Sequence, residues 1–407
     1  MNSDNINRAP VQKENDTVRI LVANAAYQEN TPRFLANVIA EAEYNDYQDD
    51  TFGDEGIYDL RSTLLWVLSP QRFTWSVEEV FEQRVIASSL ADTPDNRTDV
   101  NVFSTGPDFY IRLNPLHTLA LGARAGNVYT GTSNFDNDRY SGSLRWLYQT
   151  TSISTFSFNF VTQDVNYDDP VANVDFTRHD TFFRYEYRPS RSQYVVDLGA
   201  SKVNKDRGED LDGSLAKFTL HQQLSMVSSF GFSLSGELAD TGTDIITAPL
   251  PITTIGVTPV SVPSLSADVV NELYYAKRAF IYYTRRGKNL GLAITLGAQD
   301  LDYETPTLDQ REKTGDLMLD YFYSGTTTIS LFSEQSRIDF HEIFRRDTDR
   351  DSGVRWQHRL SRSISIGLEG RRIDRNSTDP LREYVDNRAL FSILYTSGSI
   401  PSPVFGR

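Results

Sequence analysis

Cysteine is absent from the 407 residues, which removes disulfides and thiolate metal sites from consideration. Long hydrophobic runs are missing as well. No segment approaches the roughly 18 to 20 consecutive apolar residues that a helical membrane span requires. Hydrophobic residues make up only 39% of the chain. These features exclude a helical membrane protein but leave open one that crosses with strands, where apolar residues occupy alternate positions only. Positive charge is in deficit: the formal net charge is −15, against the basic face that nucleic-acid binding demands.

Chemistry-bearing patterns are equally scarce. The five histidines, His117, His179, His221, His341 and His358, show no zinc spacing. The pairs His179-Asp180 and His341-Glu342 are sequence neighbours, and neighbours on a strand point to opposite faces, so neither makes a dyad. No nucleophile elbow, phosphate-binding loop or dinucleotide fingerprint occurs. The chain reads as a non-enzyme without a cofactor.

What is present is alternation. From residue 33 onward, stretches of about ten residues alternate apolar with polar and are broken by turn residues. Ser154-Thr155-Phe156-Ser157-Phe158-Asn159-Phe160 and Leu290-Gly291-Leu292-Ala293-Ile294-Thr295-Leu296 are clear examples. Short connections such as Ser69-Pro70-Gln71-Arg72 and Arg286-Gly287-Lys288-Asn289 take turns with long ones near 46–56, 86–98, 167–178 and 241–268. Short turns on one rim and long loops on the other predict an all-β, transmembrane, antiparallel up-and-down barrel. The count is about eighteen strands, with sixteen allowed, and both termini on the short-turn, periplasmic side. Residues 1–32 read as a polar leader, disordered or periplasmic, in which Val18 to Tyr27 adds a short strand or plugs the barrel's end. Residues 33–395 read as the barrel and 396–407 as a C-terminal tail. The stretch Met1 to Asp16 shows no basic region followed by an apolar one, so no signal peptide is visible.

Parity assigns faces. Phe156, Phe158 and Phe160, or Leu290, Leu292, Ile294 and Leu296, face lipid, and their neighbours face the lumen. The opposite assignment would place Arg145 or Glu369 in hydrocarbon, at about 2–4 kcal/mol for a basic residue at the midplane. The lumen-facing candidates are Arg61, Arg84, Arg112, Arg124, Arg145, Arg184, Arg355, Arg371 and Arg388, with Glu186, Glu237, Glu334 and Glu369. Such charges either select solutes in a pore or neutralise one another across neighbouring strands and stiffen the wall.

Two loops stand apart. Residues 245–267 carry no charge and include Pro249, Pro251, Pro259 and Pro263, and a long loop of this kind reads as a gate folded into the mouth or as an external flap. The first long loop gathers Asp46, Asp49, Asp50, Asp54 and Glu55. Oxygen ligands at that density suit Ca²⁺, but the loop lacks the twelve-residue calcium pattern, and a solvated acidic loop is the plainer reading.

Three segments carry a resemblance. They are Thr93-Pro94-Asp95-Asn96-Arg97-Thr98 running into Asn101 to Pro107, Lys277-Arg278 with Tyr282-Tyr283-Thr284-Arg285-Arg286-Gly287, and Arg382-Glu383-Tyr384-Val385-Asp386-Asn387-Arg388-Ala389. The chain resembles, over most of residues 33–395, the outer-membrane β-barrel proteins found with exopolysaccharide biosynthesis and PEP-CTERM (exosortase) systems of Gram-negative bacteria. The resemblance implies a non-catalytic outer-membrane barrel for export or surface assembly of an exopolysaccharide. Its partners would be outer-membrane lipid and lipopolysaccharide, the polysaccharide and periplasmic export components. One departure is the end of the chain: the last strand stops near Tyr395, and Phe405 lies near the terminus rather than at it. The alternatives are a general diffusion porin and a structural or docking barrel with a closed lumen.

Overall fold

The computed structural model describes residues 1–131, 135–247, 268–341 and 344–397. Alternating stretches of β-branched and aromatic residues form long strands, with Pro107 of the sixth as an interior proline. In chain order these are β1 (Asn2–Ser3), β2 (Asp16–Asn30), β3 (Phe34–Tyr47), β4 (Glu55–Ser69), β5 (Phe73–Val85), β6 (Arg97–Arg112), β7 (His117–Thr130), β8 (Asn137–Thr151), β9 (Ser154–Tyr167) and β10 (Phe176–Tyr187). They continue as β11 (Ser192–Lys205), β12 (Leu211–Ser225), β13 (Ser228–Ala239), β14 (Tyr274–Arg286), β15 (Leu290–Tyr303), β16 (Gln310–Phe322), β17 (Thr327–Phe340), β18 (Arg345–Arg359), β19 (Ile364–Ser377) and β20 (Tyr384–Tyr395). A short helix, α1 (Thr241–Thr247), follows β13.

Each strand from β2 to β20 pairs antiparallel with the next, and β1 pairs antiparallel with both β2 and β20. The result is a closed antiparallel barrel of 20 strands. The expected count of eighteen is corrected by two, and both additions come from the segment read as a leader. Residues 33–395 do hold eighteen strands, β3 to β20. The other two are β2, which pairs with β3 from Val18↔Tyr47 to Asn30↔Leu35, and the two-residue β1. The expectation for the N-terminus is corrected too. β2 runs from the long-loop rim down to the short turn at 31–33, so residues 1–15 sit at the long-loop rim, while β20 ends at the short-turn rim.

This arrangement leaves β2 and β20 pointing the same way. They are joined through β1 alone, by Asn2↔Thr17 and Ser3↔Asp16 on one side and Asn2↔Ala389 and Ser3↔Arg388 on the other. Below that bridge, no ladder joins β2 to β20 among the described residues.

The predicted faces agree with the burial pattern. Leu144, Trp146, Phe156, Phe160, Leu296 and Leu368 are exposed on the outer wall, whereas Ser157, Asn159 and Thr295 on the alternate face are buried. Rings mark both edges of the apolar band. Phe34–Trp66 and Phe73–Phe109 pack at 5.1 and 4.6 Å near the short-turn rim, and Tyr44, Tyr58, Tyr129 and Tyr140 are exposed toward the other. On β4, Tyr58 and Trp66 stand eight residues apart, about 20 Å of height for a strand tilted by 40°, which suits the apolar band of an outer-membrane barrel. One pairing has a special cause. A Cβ on Gly106 would lie 1.9 Å from the Ala123 carbonyl oxygen, and Pro107 beside it has no N–H to give, so the β6–β7 ladder lapses between Thr105↔Ala125 and Asp108↔Gly122.

Candidate functional site

The long-loop rim is where buried polar and apolar groups concentrate. Seven strands end there on an inward ring: Tyr47, Tyr167, Phe176, Tyr274, Tyr303, Phe340 and Tyr384 are all buried, and each is the first or last residue of its strand at this rim. Arg345 lies 4.5 Å over Phe340, and Arg375 and Arg8 lie 5.7 and 5.9 Å over Tyr384. These contacts have the geometry of cation–π pairs. This collar was legible only in combination, as aromatic residues at inward parity next to long loops. Reading the strands singly misses it.

Loops cover the collar. The connection from β13 to β14 turns inward as α1, whose Ile245 is fully buried against Val80, Val100, Val102 and Val128 of β5–β7, together with Val269. β6 lies seven strands around the ring from β13, so this loop crosses the mouth. It is pinned on both sides. Asp240 pairs with Arg139 of β8, which also donates to Thr243 Oγ1 at 3.2 Å. Asp244 pairs with Arg278, whose Nη1 donates at 3.0 Å, and accepts from the Tyr274 hydroxyl. Arg278 faces inward, and Lys277 lies on the outer wall with Asp302.

The 86–96 loop crosses from the other side. Ser88 Oγ donates to Gln310 of β16 at 3.0 Å. Arg345 of β18 and Arg375 of β19 donate to the Ser89 and Leu90 carbonyls at 2.8 and 3.0 Å. Asp92 accepts from Arg97 at 2.6 Å and lies 3.7 Å from Arg8. The two crossing loops meet: the Ser88 N–H donates to Asp268 at 2.8 Å and the Val269 N–H to the Ile86 carbonyl at 3.2 Å. Asn271 reaches Asn173 at 2.5 Å and Glu272 accepts from the Thr305 hydroxyl at 2.6 Å, which ties in two more loops. The N-terminal residues complete the cover. Asn5 is fully buried and donates to the Ala9 and Val385 carbonyls, both at 2.9 Å.

Charge in this cap is tuned by the same contacts. Burial alone would lift Asp92, but Arg97 and Arg8 outweigh it and hold the carboxyl below its ordinary value. Asp240 behaves alike, with Arg139 overcoming the desolvation. Asp268 forms no ion pair among the described residues, and burial, outweighing the Ser88 hydrogen bonds, raises it.

Below the cap, the predicted inward charges are mostly paired. Arg61 and Arg84 share Glu82, and Arg124 meets Asp108 at 2.6 Å. Arg184 meets Asp197 at 2.7 Å, Glu186 meets Arg188 at 2.6 Å and Glu237 meets Lys217 at 2.6 Å. Arg355 pairs with Glu369 at 2.7 Å, Arg371 donates to Asp351 at 2.7 Å and Arg388 meets Asp386 at 2.6 Å. Glu334 lies opposite Asp351 in the ladder. Arg112 and Arg145 are exposed on the inner face and carry no ion pair among the described residues. Alternating sign across neighbouring strands, as in Arg184, Asp197 and Lys217, is the stiffened wall rather than a ring of one sign.

The acidic first loop does not assemble. Asp46 binds Gln48 and Arg19, Asp54 accepts from Tyr44 at 2.8 Å, and Glu55 pairs with Arg97 at 3.3 Å. The Asp49 N–H donates to Asp16 at 3.1 Å, and Asp50 takes a left-handed turn. Among the described residues no group of three or more metal-ligating side chains comes together, so the calcium expectation is set aside. Pro249, Pro251, Pro259 and Pro263 lie outside the described residues.

No protein-family model and no curated protein matches the sequence. Solved structures do. The FrpB iron transporter from Neisseria meningitidis (F5-1 variant) is similar at 9% identity with a TM-score of 0.51, covering 93% of this chain and 73% of its own. The copper transporter OprC is similar at 9% identity with a TM-score of 0.50, covering 93% and 72%. The likeness is one of fold: the chain builds the same kind of barrel as these transporters.

Proposed function

We propose that this protein is a loop-capped outer-membrane conduit for export or surface assembly of an exopolysaccharide, with no covalent chemistry. The observation that carries the reading is the cap itself. Two loops cross the mouth, seal an aromatic collar and are held by the small apolar cluster around Ile245 together with ion pairs and hydrogen bonds. Rings with guanidinium groups over them suit sugars, because a sugar's C–H face stacks on an aromatic ring and its hydroxyl and carboxylate groups accept from arginine. A chain entering from the lumen would take over the ring faces now covered by the loops. The resemblance to exopolysaccharide-associated barrels supports the choice of substrate, and the fold shared with outer-membrane transporters supports the location. A mouth closed in this way disfavours a general diffusion porin.

The test is conductance in planar bilayers. The intact protein is expected to be nearly closed, and deleting residues 241–272, which carry α1 and the contacts of Asp268 and Val269, should open it. Adding an acidic polysaccharide to the short-turn side should then block the open current, whereas small neutral sugars should not. An intact protein that conducts freely, or a deletion without effect, would overturn the reading. A second reading, uptake of a metal complex, draws on the fold likeness alone, and block by iron or copper chelates from the long-loop side would favour it.

A further inference from the structure

The outer wall of β11–β16 carries a feature that the conduit does not use. Two cross-strand rows run side by side there. One is Leu198, Ala216, Gly236, Lys277, Asp300 and Arg311, and the row next to it is Val196, Phe218, Leu234, Ala279, Ala298 and Lys313. In the middle of both rows stand small residues: Ala216, Gly236, Ala279 and Ala298. They form the floor of a depression of about 620 Å³ bounded by the residues named. Its two ends differ in chemistry. One end is apolar, with Leu198, Phe218 and Leu234. The other is charged and lies at the long-loop rim, where Arg311 and Lys313 are the second and fourth residues of β16. Leu198 sits midway along β11, so the groove descends diagonally from the rim into the apolar band.

The charged end leans positive on a chain whose net charge is −15. Lys277 pairs with Asp302 at 2.8 Å and Arg311 with Asp300 at 2.7 Å. Arg337, opposite Lys313 in the ladder, pairs with Asp339, which also holds Arg346. Lys313 has no ion-pair partner among the described residues. Five cations thus face three carboxylates. Lys277 and Arg311 keep about half of their side-chain surface open, 55% and 50%. A hydrated pair at the headgroup level accepts a further anion more readily than one already buried.

We infer that this groove binds one phosphorylated, acylated lipid of the outer leaflet. Its phosphate lies against Lys277, Arg311 and Lys313, and an acyl chain lies along the Ala216–Gly236–Ala279–Ala298 floor toward Phe218 and Leu234. The inference rests on the outer-membrane reading above. A larger side chain on the floor would exclude the chain, and loss of the cations would release the head. Together the two ends fit an amphipathic ligand and not a free anion.

The experiment is native mass spectrometry of the full chain released from nanodiscs that contain phosphorylated lipid A in a phosphatidylcholine background. The wild type is expected to retain one lipid A. K277Q/K313Q should lower that retention by about tenfold, the loss of two charge-assisted contacts. A279L/A298L should lower it while both lysines remain. Dephosphorylated lipid A should be retained as poorly as by the lysine variant. Equal retention by wild type and both variants would overturn the groove, and so would equal retention of phosphatidylcholine. Competition by inorganic phosphate at millimolar concentration would overturn the lipid in favour of a free anion. Failure of the wild type to enter nanodiscs at all would overturn the membrane reading, an outcome separate from these.

Discussion

Ser88, three residues beyond the end of β5, donates its backbone N–H to Asp268 Oδ1 at 2.8 Å, six residues before β14 begins. With the Val269 N–H donated to the Ile86 carbonyl, this hydrogen bond joins the two loops that cross the mouth. Because the chain contains no cysteine, thiols placed here have no competitors. Ser88→Cys with Asp268→Cys, joined by a short bismaleimide, should fix the cap and suppress any opening current, and cleavable versions of the linker should restore it. An unchanged single-channel record after complete cross-linking would show that the two loops do not move apart during opening.

Arg139 and Asp240 form the more buried of the two ion pairs that pin α1, with side-chain exposures of 10% and 6%. Removing one member leaves the other charged and dry, at about 3–5 kcal/mol, whereas replacing both by apolar groups is often neutral. Asp240→Asn should therefore lower the temperature at which the barrel loses its folded electrophoretic mobility. Arg139→Met with Asp240→Leu should recover most of that loss. A double variant as unstable as the single one would mean that the pair contributes through geometry rather than through compensated charge.

Acid should act on the cap in two opposite senses. Asp92 and Asp240 have folded-state pKa values below the ordinary 3.8. Their contribution is thus complete above that value and is lost as pH falls through the lower folded one. Asp268 is raised above 3.8 by burial. Its contribution is present below 3.8 and is lost as pH rises through the folded value. The protection of residues 86–96 against hydrogen exchange, relative to the intrinsic rate at each pH, should accordingly fall as pH drops below 3.8, and Asp268→Asn should raise it at neutral pH. If that protection is flat with pH in both proteins, the carboxylates do not hold the loop.

Much of this architecture was written in local pattern. Most turns and connections from 46 onward appear where alternation stops, although the long connection expected near 340–350 shrinks to residues 341–344 between β17 and β18, and inward parity of residues such as Arg184 and Glu369 followed from the cost of placing charge in lipid. Two things were not local. β2 begins Asp16-Thr17-Val18-Arg19, and its polar start and weak alternation do not mark a wall strand until β3 is beside it. The cap arises from contacts between residues as far apart as Arg375 and Leu90, for which no single window carries a signal. Ion pairs behaved differently again. Parity placed Arg371 inward, but only the register of β18 against β19 brings Asp351 within reach.

Charge on the outer wall offers a direct check of the membrane level. Leu198 is exposed midway along β11. Leu198→Arg should destabilise the barrel in lipid by about 2–4 kcal/mol, while Leu113→Arg, in the turn after β6, should be near neutral. Folding titrations into short-chain lipid vesicles measure both. Equal costs would mean that the apolar band does not sit at the height given by Tyr58 and Trp66.

The bridge at β1 carries a sharper consequence. Val18 donates its N–H to the Met1 carbonyl at 2.8 Å, so the even-numbered residues of β2 turn their backbone groups toward β1 and the odd-numbered ones turn theirs toward β3. Below Val18 the even edge, at Ile20, Val22, Asn24, Ala26 and Gln28, has no ladder partner among the described residues. Residues 16–30 contain no proline and no lysine, the usual means of blunting an open edge. Amide exchange in micelles should therefore alternate along β2, fast at Ile20, Val22 and Asn24 and slow at Leu21, Ala23 and Ala25. Deleting residues 1–3 should extend the fast set to Val18 and weaken the barrel, because the remaining join between β2 and β20 is lost. Uniform protection along β2 would mean that another strand already fills this edge, and its polarity is fixed in advance: it must run antiparallel to β2 and β20 alike.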